Sequence, residues 1–302
     1  MKDKTKVDIH QAITDKLVAA MEAGAGKWRM PWAQPGGAIR PMNVSTGNFY
    51  RGINVIALWV EATDKGYSSN VWGTYRQWEA KGAQVRKGEK SALSVFFKPL
   101  TFTAEGQDDR TVPMARATPV FTAEQVDGYE APAVTRLPTG GAEAIAAADL
   151  FVAKTGAEVV TAGSRAFYTP SADRIQMPMM SLFTGSETSS ASESYYSTLL
   201  HELVHWTGAK SRVNRDLSGR FGTDAYAMEE LVAEIGAAFL CSDLGISVEP
   251  RPDHAQYLSS WLKVLKGDRK AVFTAASKAS QAFDFLELLQ GRAPAADMAE
   301  AA

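Results

Sequence analysis

The feature that most constrains this chain is one segment, Ser190 to Gly208, in which both ends of a helix are spelled out. Ser190-Ala191-Ser192-Glu193 matches a capping box, where the Ser and Glu side chains each satisfy the other residue's backbone N–H. Gly208 stands just past the last periodic residue, Trp206, where a helix needs a terminator. A helix over this span puts His201 and His205 one turn apart on a single face. Two imidazoles so placed can share one divalent cation, and Glu202 beside them can activate a water.

Composition limits how such a site is completed. One cysteine in 302 residues rules out an internal disulfide framework and any cysteine-rich zinc module, and there are only four histidines. The site is therefore expected to consist of His201, His205 and a carboxylate. A second helix is expected from about Asp224 to Leu244, stopping at Gly245, and it carries Glu229-Glu230-Leu231-Val232-Ala233-Glu234. Glu230 and Glu234 share a face, and like charges one turn apart repel by a few tenths of a kcal/mol unless positive charge lies near them. We read Glu230 as the third ligand and Glu234 as the carboxylate that orients a ligating histidine through its other ring nitrogen. Glu229 is the rival third ligand. Ala233, Gly236, Ala237 and Ala238 are small enough to let this helix pack closely on the histidine helix.

Three protein ligands leave a position for water, the catalytic rather than the structural arrangement, with Glu202 as general base. His/His/Glu donors favour Zn2+, with Mn2+ or Co2+ as alternatives. Tyr226, His254, Tyr257 and Arg212 are the candidates for stabilising an oxyanion. Arg174 to Pro178 is a candidate edge strand that an extended peptide could join. The competing reading makes the histidines a half-buried helical pair and the glutamates a solvated face.

Charge divides the chain. The first 100 residues carry 15 Lys and Arg against 8 Asp and Glu, and the remainder carries 17 against 26, so the formal total of −2 conceals a basic and an acidic half. Five of the seven tryptophans lie before residue 80. Cations alternate with aromatics at Lys27, Trp28, Arg29 and Trp32, at Tyr50 and Arg51, and at Trp72, Tyr75 and Arg76, followed by a basic turn with Arg86, Lys87 and Lys90. Single-stranded DNA needs that pairing, because bases stack on aromatic faces while cations track phosphates. Trp59 and Trp78, on apolar helix faces, are expected in the core.

The order of periodic segments predicts an α+β chain of two domains. Helices are expected near residues 7–21, 54–63 and 74–81, and strands at 92–97 and 118–121. In the second half an alanine-rich helix (142–155) precedes strands at 158–161, 165–168 and 174–177, and helices follow. The expected boundaries are a single-stranded-DNA-binding domain over 1–130, a Pro/Gly-containing linker over 131–141, a metallopeptidase-like domain over 142–290 and a frayed tail over 291–302. No apolar run approaches the roughly 20 residues a bilayer requires, and the N-terminus lacks a secretory pattern, so a cytoplasmic location is expected.

Both halves together resemble a known family. Trp28-x-x-Pro31-Trp32, Asn48-Phe49-Tyr50-Arg51-Gly52-Ile53-Asn54, Trp72-x-Thr74-Tyr75-x-Gln77-Trp78 and Gly82-x-x-Val85-Arg86-Lys87-Gly88-Glu89 resemble the N-terminal domain of ArdC-type antirestriction proteins, shared with TraC-type conjugative primases. His201 to Gly208 and Glu229 to Leu240 resemble the zincin-type metallopeptidase domain that follows it. The resemblance implies a plasmid-borne protein that binds single-stranded DNA and protects incoming conjugative DNA from host restriction, with a host restriction–modification subunit as a further partner. It also implies that the first Glu of Glu230-x-x-Ala233-Glu234 ligates. Two other readings remain open: a single-stranded-DNA-binding protein whose metal is only structural, and a regulatory metallopeptidase without a DNA role.

Overall fold

The computed structural model describes residues 8–24, 39–102, 110–130, 140–186, 189–220, 222–247 and 254–292. Helix α1 (Ile9–Gly24) turns Ile13, Leu17, Val18 and Met21 inward, the three- and four-residue spacing of an amphipathic helix. Short strand β1 (Met42–Asn43) leads to α2 (Ile53–Lys65), which starts at Gly52, where a φ of 54° suits glycine. Strand β2 (Val71–Gly73) is followed by α3 (Tyr75–Ala80), whose capping box joins Thr74 to Gln77. Strand β3 (Gln84–Val85) precedes a long hairpin, β4 (Ala92–Phe102) and β5 (Arg110–Thr122), and then β6 (Val126–Asp127). The large sheet has the order β1-β2-β5-β4, while β3 and β6 form a two-stranded ribbon.

The second half opens with α4 (Ala142–Thr155) and a three-stranded sheet of β7 (Glu158–Thr161), β8 (Phe167–Thr169) and β9 (Arg174–Met177). Four helices follow: α5 (Ala191–Thr207), α6 (Asp224–Leu244), α7 (His254–Gly267) and α8 (Ala271–Leu289). The sheet order is β7-β9-β8, with β7 parallel and β8 antiparallel to β9. This corrects one expectation. The strand at Arg174–Met177 is central, so it has no free edge for a peptide, and β7 and β8 are the edge strands instead.

The α+β class and the order of elements agree with the sequence reading. Strands β1, β2, β3 and β6 escaped it, being only two or three residues long and carrying no alternation to mark them. Most of the expected linker (131–139), the 103–109 segment and residues 293–302 of the tail lie outside the described residues. One hydrophobic cluster extends from Ile13 and Leu17 of α1 through Trp59 of α2 and Phe239 of α6 to Phe283 of α8, so the two halves share a core. At their seam Arg40 donates two 2.7 Å bonds to Asp243, and its guanidinium lies between the rings of Phe49 (4.7 Å) and Phe283 (4.4 Å). A planar, delocalised cation suits that stacked and bidentate position better than an ammonium.

Candidate metal centre

The capping box at Ser190 and Glu193 forms as expected and starts α5, and Glu193 also accepts the N–H of Ser247 at 3.0 Å, beyond the end of α6. The two helices then run close together. A Cβ built on Gly236 would lie 2.9 Å from Cγ2 of Val204, the residue before His205, so glycine is what lets α6 approach the histidine face. Ala233 and Ala238 are fully buried in the same core.

That approach brings the ligand candidates together. Nε2 of His201 and Nε2 of His205 are 3.1 Å apart, and the Glu230 carboxylate oxygens lie 3.4 Å from the first and 3.6 Å from the second. One donor atom from each of His201, His205 and Glu230 falls within 4.8 Å of the others. The outer ring nitrogens face carboxylates as well: Nδ1 of His201 is 3.5 Å from Glu234, and Nδ1 of His205 is 3.2 Å from Glu229. A carboxylate at Nδ1 favours the tautomer that keeps a lone pair on Nε2, and both Nε2 atoms point to one spot. Burial by itself would lower His205, but Glu229, Glu230 and the nearby Glu202 raise it to about 10. Burial likewise opposes ionisation of Glu230, yet the hydrogen bonds and charge of His201 and His205 hold its carboxyl well below the usual carboxylate range. Two imidazole nitrogens and a carboxylate facing one spot form a donor set that fits a first-row divalent ion.

Glu229 and Glu230, the two rivals for third ligand, face different partners. Glu229 is held by Arg215, whose Nη2 and Nε donate to its two oxygens at 2.8 and 3.1 Å, and which also bonds the Val204 carbonyl (2.6 Å) and Thr207 Oγ1 (2.8 Å). Arg215 therefore anchors Glu229, and Glu229 orients His205. Burial raises the Glu229 carboxyl, but His205 and Arg215 outweigh it and lower the group. The sequence reading missed Arg215, which sits in an irregular stretch between α5 and α6 with no periodicity to mark it.

Glu202 is buried at the back of a cleft of about 470 Å³ lined by Phe167, Tyr168, Phe183, His205, Tyr226 and Glu230, among others. The backbone N–H of Tyr168 on edge strand β8 donates to Glu202 Oε2 at 3.0 Å. Of the oxyanion candidates, Tyr226 lines the cleft. Arg212 instead bonds the Trp206 carbonyl (2.7 Å), Tyr168 Oη (3.1 Å) and Asp173, with its guanidinium 3.9 Å above the Trp206 ring. The side chains of His254 and Tyr257 lie outside the described residues.

The expected nucleic-acid set is sorted by burial. Tyr50 and Trp72 are each 1% exposed and offer no face to a base, so both move from platform to core. Burial pushes the Tyr50 hydroxyl up to about 12, and that hydroxyl accepts a bond from Asn43 at 3.2 Å. Arg51 is half-buried and paired with Asp284 across the seam, which removes it from the phosphate-binding set. Arg86 bonds Glu89 at 2.9 Å. Tyr75, Arg76, Lys87 and Lys90 are exposed. Lys27, Trp28, Arg29 and Trp32 lie outside the described residues. Trp59 and Trp78 are buried as expected, with their indole N–H groups donating to the carbonyls of Ile39 (2.8 Å) and Phe121 (3.0 Å).

Comparison with known proteins matches a different family model to each half of the chain. Residues 7–121 match the model of the N-terminal domain of anti-restriction factor ArdC, and residues 146–278 match a zincin-like metallopeptidase domain. The chain is 46% identical to protein y4eC of Sinorhizobium fredii (strain NBRC 101917 / NGR234) over 96% of this chain and 95% of that protein. It is 38% identical to a DNA primase TraC of Escherichia coli over 93% of this chain, but spans only 20% of that primase. The metal-free crystal structure of antirestriction ArdC protein from plasmid R388 superposes with a TM-score of 0.80 at 38% identity, covering 95% of this chain and 99% of that one. Its Mn(II)-bound structure gives 0.76 at 39% identity, covering 94% and 98%. With near-complete coverage in both directions and both domain models matched in order, the chain belongs to the ArdC family of antirestriction proteins.

Proposed function

We propose that this chain binds single-stranded DNA through its first half, holds one divalent metal ion in its second, and protects incoming conjugative DNA from host restriction by acting on a polypeptide in the metal cleft. The observation that carries the catalytic part is the convergence of His201, His205 and Glu230 within 4.8 Å beside the buried Glu202. His201, His205 and Glu230 would hold the ion, with zinc favoured by the donors and manganese supported by the Mn(II)-bound relative. When bound, such an ion polarises a substrate carbonyl.

The remaining work falls to the chain's own residues. Glu202 takes a proton from the attacking water and returns it to the leaving amine. The Tyr168 N–H fixes one of its oxygens, so the carboxylate keeps one orientation while it does so. Tyr226 is the cleft residue best suited to donate a hydrogen bond to the developing oxyanion. Phe167, Pro170, Pro178 and Phe183 form an apolar wall that limits water near the reacting centre. A subunit of the host restriction machinery is the polypeptide we assign to this cleft.

Glu202→Gln tests the reading, because it keeps the size of the side chain and removes the base. The variant should retain a full equivalent of metal, bind single-stranded DNA like the wild type, and lose protection of incoming plasmid DNA in recipient cells. Undiminished protection would make the metal structural and the chain a DNA-binding protein alone. Protection by a wild type that shows no salt-dependent affinity for single strands would leave a peptidase without a DNA role.

A further inference from the structure

With Tyr50 and Trp72 in the core, the stacking surface of the first half has to lie elsewhere. Tyr75, at the start of α3, is 46% exposed. Its ring is also held in place, because Gln84 Nε2 donates to the Tyr75 hydroxyl oxygen at 2.8 Å and ties α3 to β3. The chain then turns through residues 86–90, and that turn is braced from behind. Arg86 bonds Glu89 and the Glu124 carbonyl, and Gln125 Nε2 donates to the Lys90 carbonyl at 2.8 Å. Around this braced corner Arg76, Lys81, Lys87 and Lys90 are exposed, and none makes an ion pair among the described residues. By contrast, the guanidinium groups of Arg40, Arg51, Arg212 and Arg215 are each joined to a carboxylate.

We infer that the corner formed by α3, β3 and the turn after it is a single-stranded-DNA site, in which a base stacks on Tyr75 and the flanking phosphates lie on Arg76, Lys81, Lys87 and Lys90. The inference rests on the nucleic-acid reading above and gives it a place. An exposed ring whose orientation is already set loses little freedom on stacking, and unpaired cations are the ones that can release counterions when a strand binds. Lys81 enters the site on structural grounds alone, since the sequence marks it by no motif. Arg86 leaves it, because its guanidinium is spent on bracing the turn.

The test is a fluorescence titration of the full chain with a labelled oligo(dT) across a range of salt. Tyr75→Ala should bind roughly 5- to 150-fold more weakly with an unchanged salt slope, and Tyr75→Phe, which keeps the ring but loses its bond from Gln84, should fall between the wild type and Tyr75→Ala. The double variant Lys81→Ala/Lys87→Ala should keep the stacking contribution and flatten the slope of log K against log salt by about 1.4. Thermal midpoints of all three should match the wild type. Unchanged affinity of Tyr75→Ala beside a wild type that binds would overturn this site and leave the DNA reading standing. A wild type that does not bind the oligonucleotide would remove both. Equal affinity for a duplex of the same length would also overturn it, because paired bases offer no free face, and so would loss of binding that tracks a fall in thermal midpoint.

Discussion

The two halves of the molecule use the same kinds of side chain to opposite ends. Around the candidate metal centre of the second half, charged and polar groups are buried and spent on one another: Arg215 on Glu229, Glu229 on His205, and His201 between Glu230 and Glu234. In the first half, the cations around Tyr75 are exposed and carry no ion pair among the described residues. The difference is the one expected between the proposed metal centre, which needs fixed geometry, and the proposed strand-binding surface, which needs only to present charge. A metal centre requires its donors to hold position and tautomer before the ion arrives, so other residues must be dedicated to that. A strand-binding surface draws affinity from counterion release and stacking, for which solvent access matters more than rigid support.

Substitutions that exchange these characters should break the comparison most visibly. Arg215→Met leaves Glu229 buried without its main partner, and loss of one partner from such a pair costs about 3–5 kcal/mol. Its thermal midpoint should fall sharply and its metal affinity with it. Trp72→Ala should cost a similar ~3–5 kcal/mol, because it empties a core site rather than a platform. An unchanged midpoint for Trp72→Ala would make that ring a candidate stacking platform again. Gly236→Ala should cost about 1–3 kcal/mol through overpacking against Val204 and weaken metal binding by moving α6 away from α5. At the small end, Tyr75→Ala should leave stability within about 0.5 kcal/mol of wild type, since an exposed ring supports little of the fold. Chemical denaturation of these variants, side by side, measures the whole series.

The same contrast explains what could be read from the sequence. His201, Glu202, His205 and Glu230 were legible because helical spacing converts sequence positions into a shared face, and the caps at Ser190 and Gly208 fixed where the helix lay. The boundaries of α4, β7, β9 and α6 were legible for related reasons, each being bounded by glycine or turn residues. Arg215 was not, because it reaches Glu229 from an irregular segment whose path only the fold determines. The hydrogen bond from Tyr168 to Glu202 was hidden likewise, since it uses a main-chain group that every residue carries. Tyr50 and Trp72 read as platforms in the sequence because aromatics interleaved with cations show the same pattern whether their rings face a base or the core. Burial decides between those outcomes, and it depends on residues far along the chain.

The central claim is that two histidines on α5 and one glutamate on α6 form a single metal centre. Metal analysis of purified wild type beside Glu230→Ala and Glu229→Gln tests it most directly. The account predicts one equivalent of divalent metal in the wild type, loss of that equivalent in Glu230→Ala, and retention with about 10- to 100-fold weaker affinity in Glu229→Gln, where only the support of His205 is reduced. A full equivalent retained by Glu230→Ala, with the metal lost from Glu229→Gln instead, would contradict it and make Glu229 the third ligand.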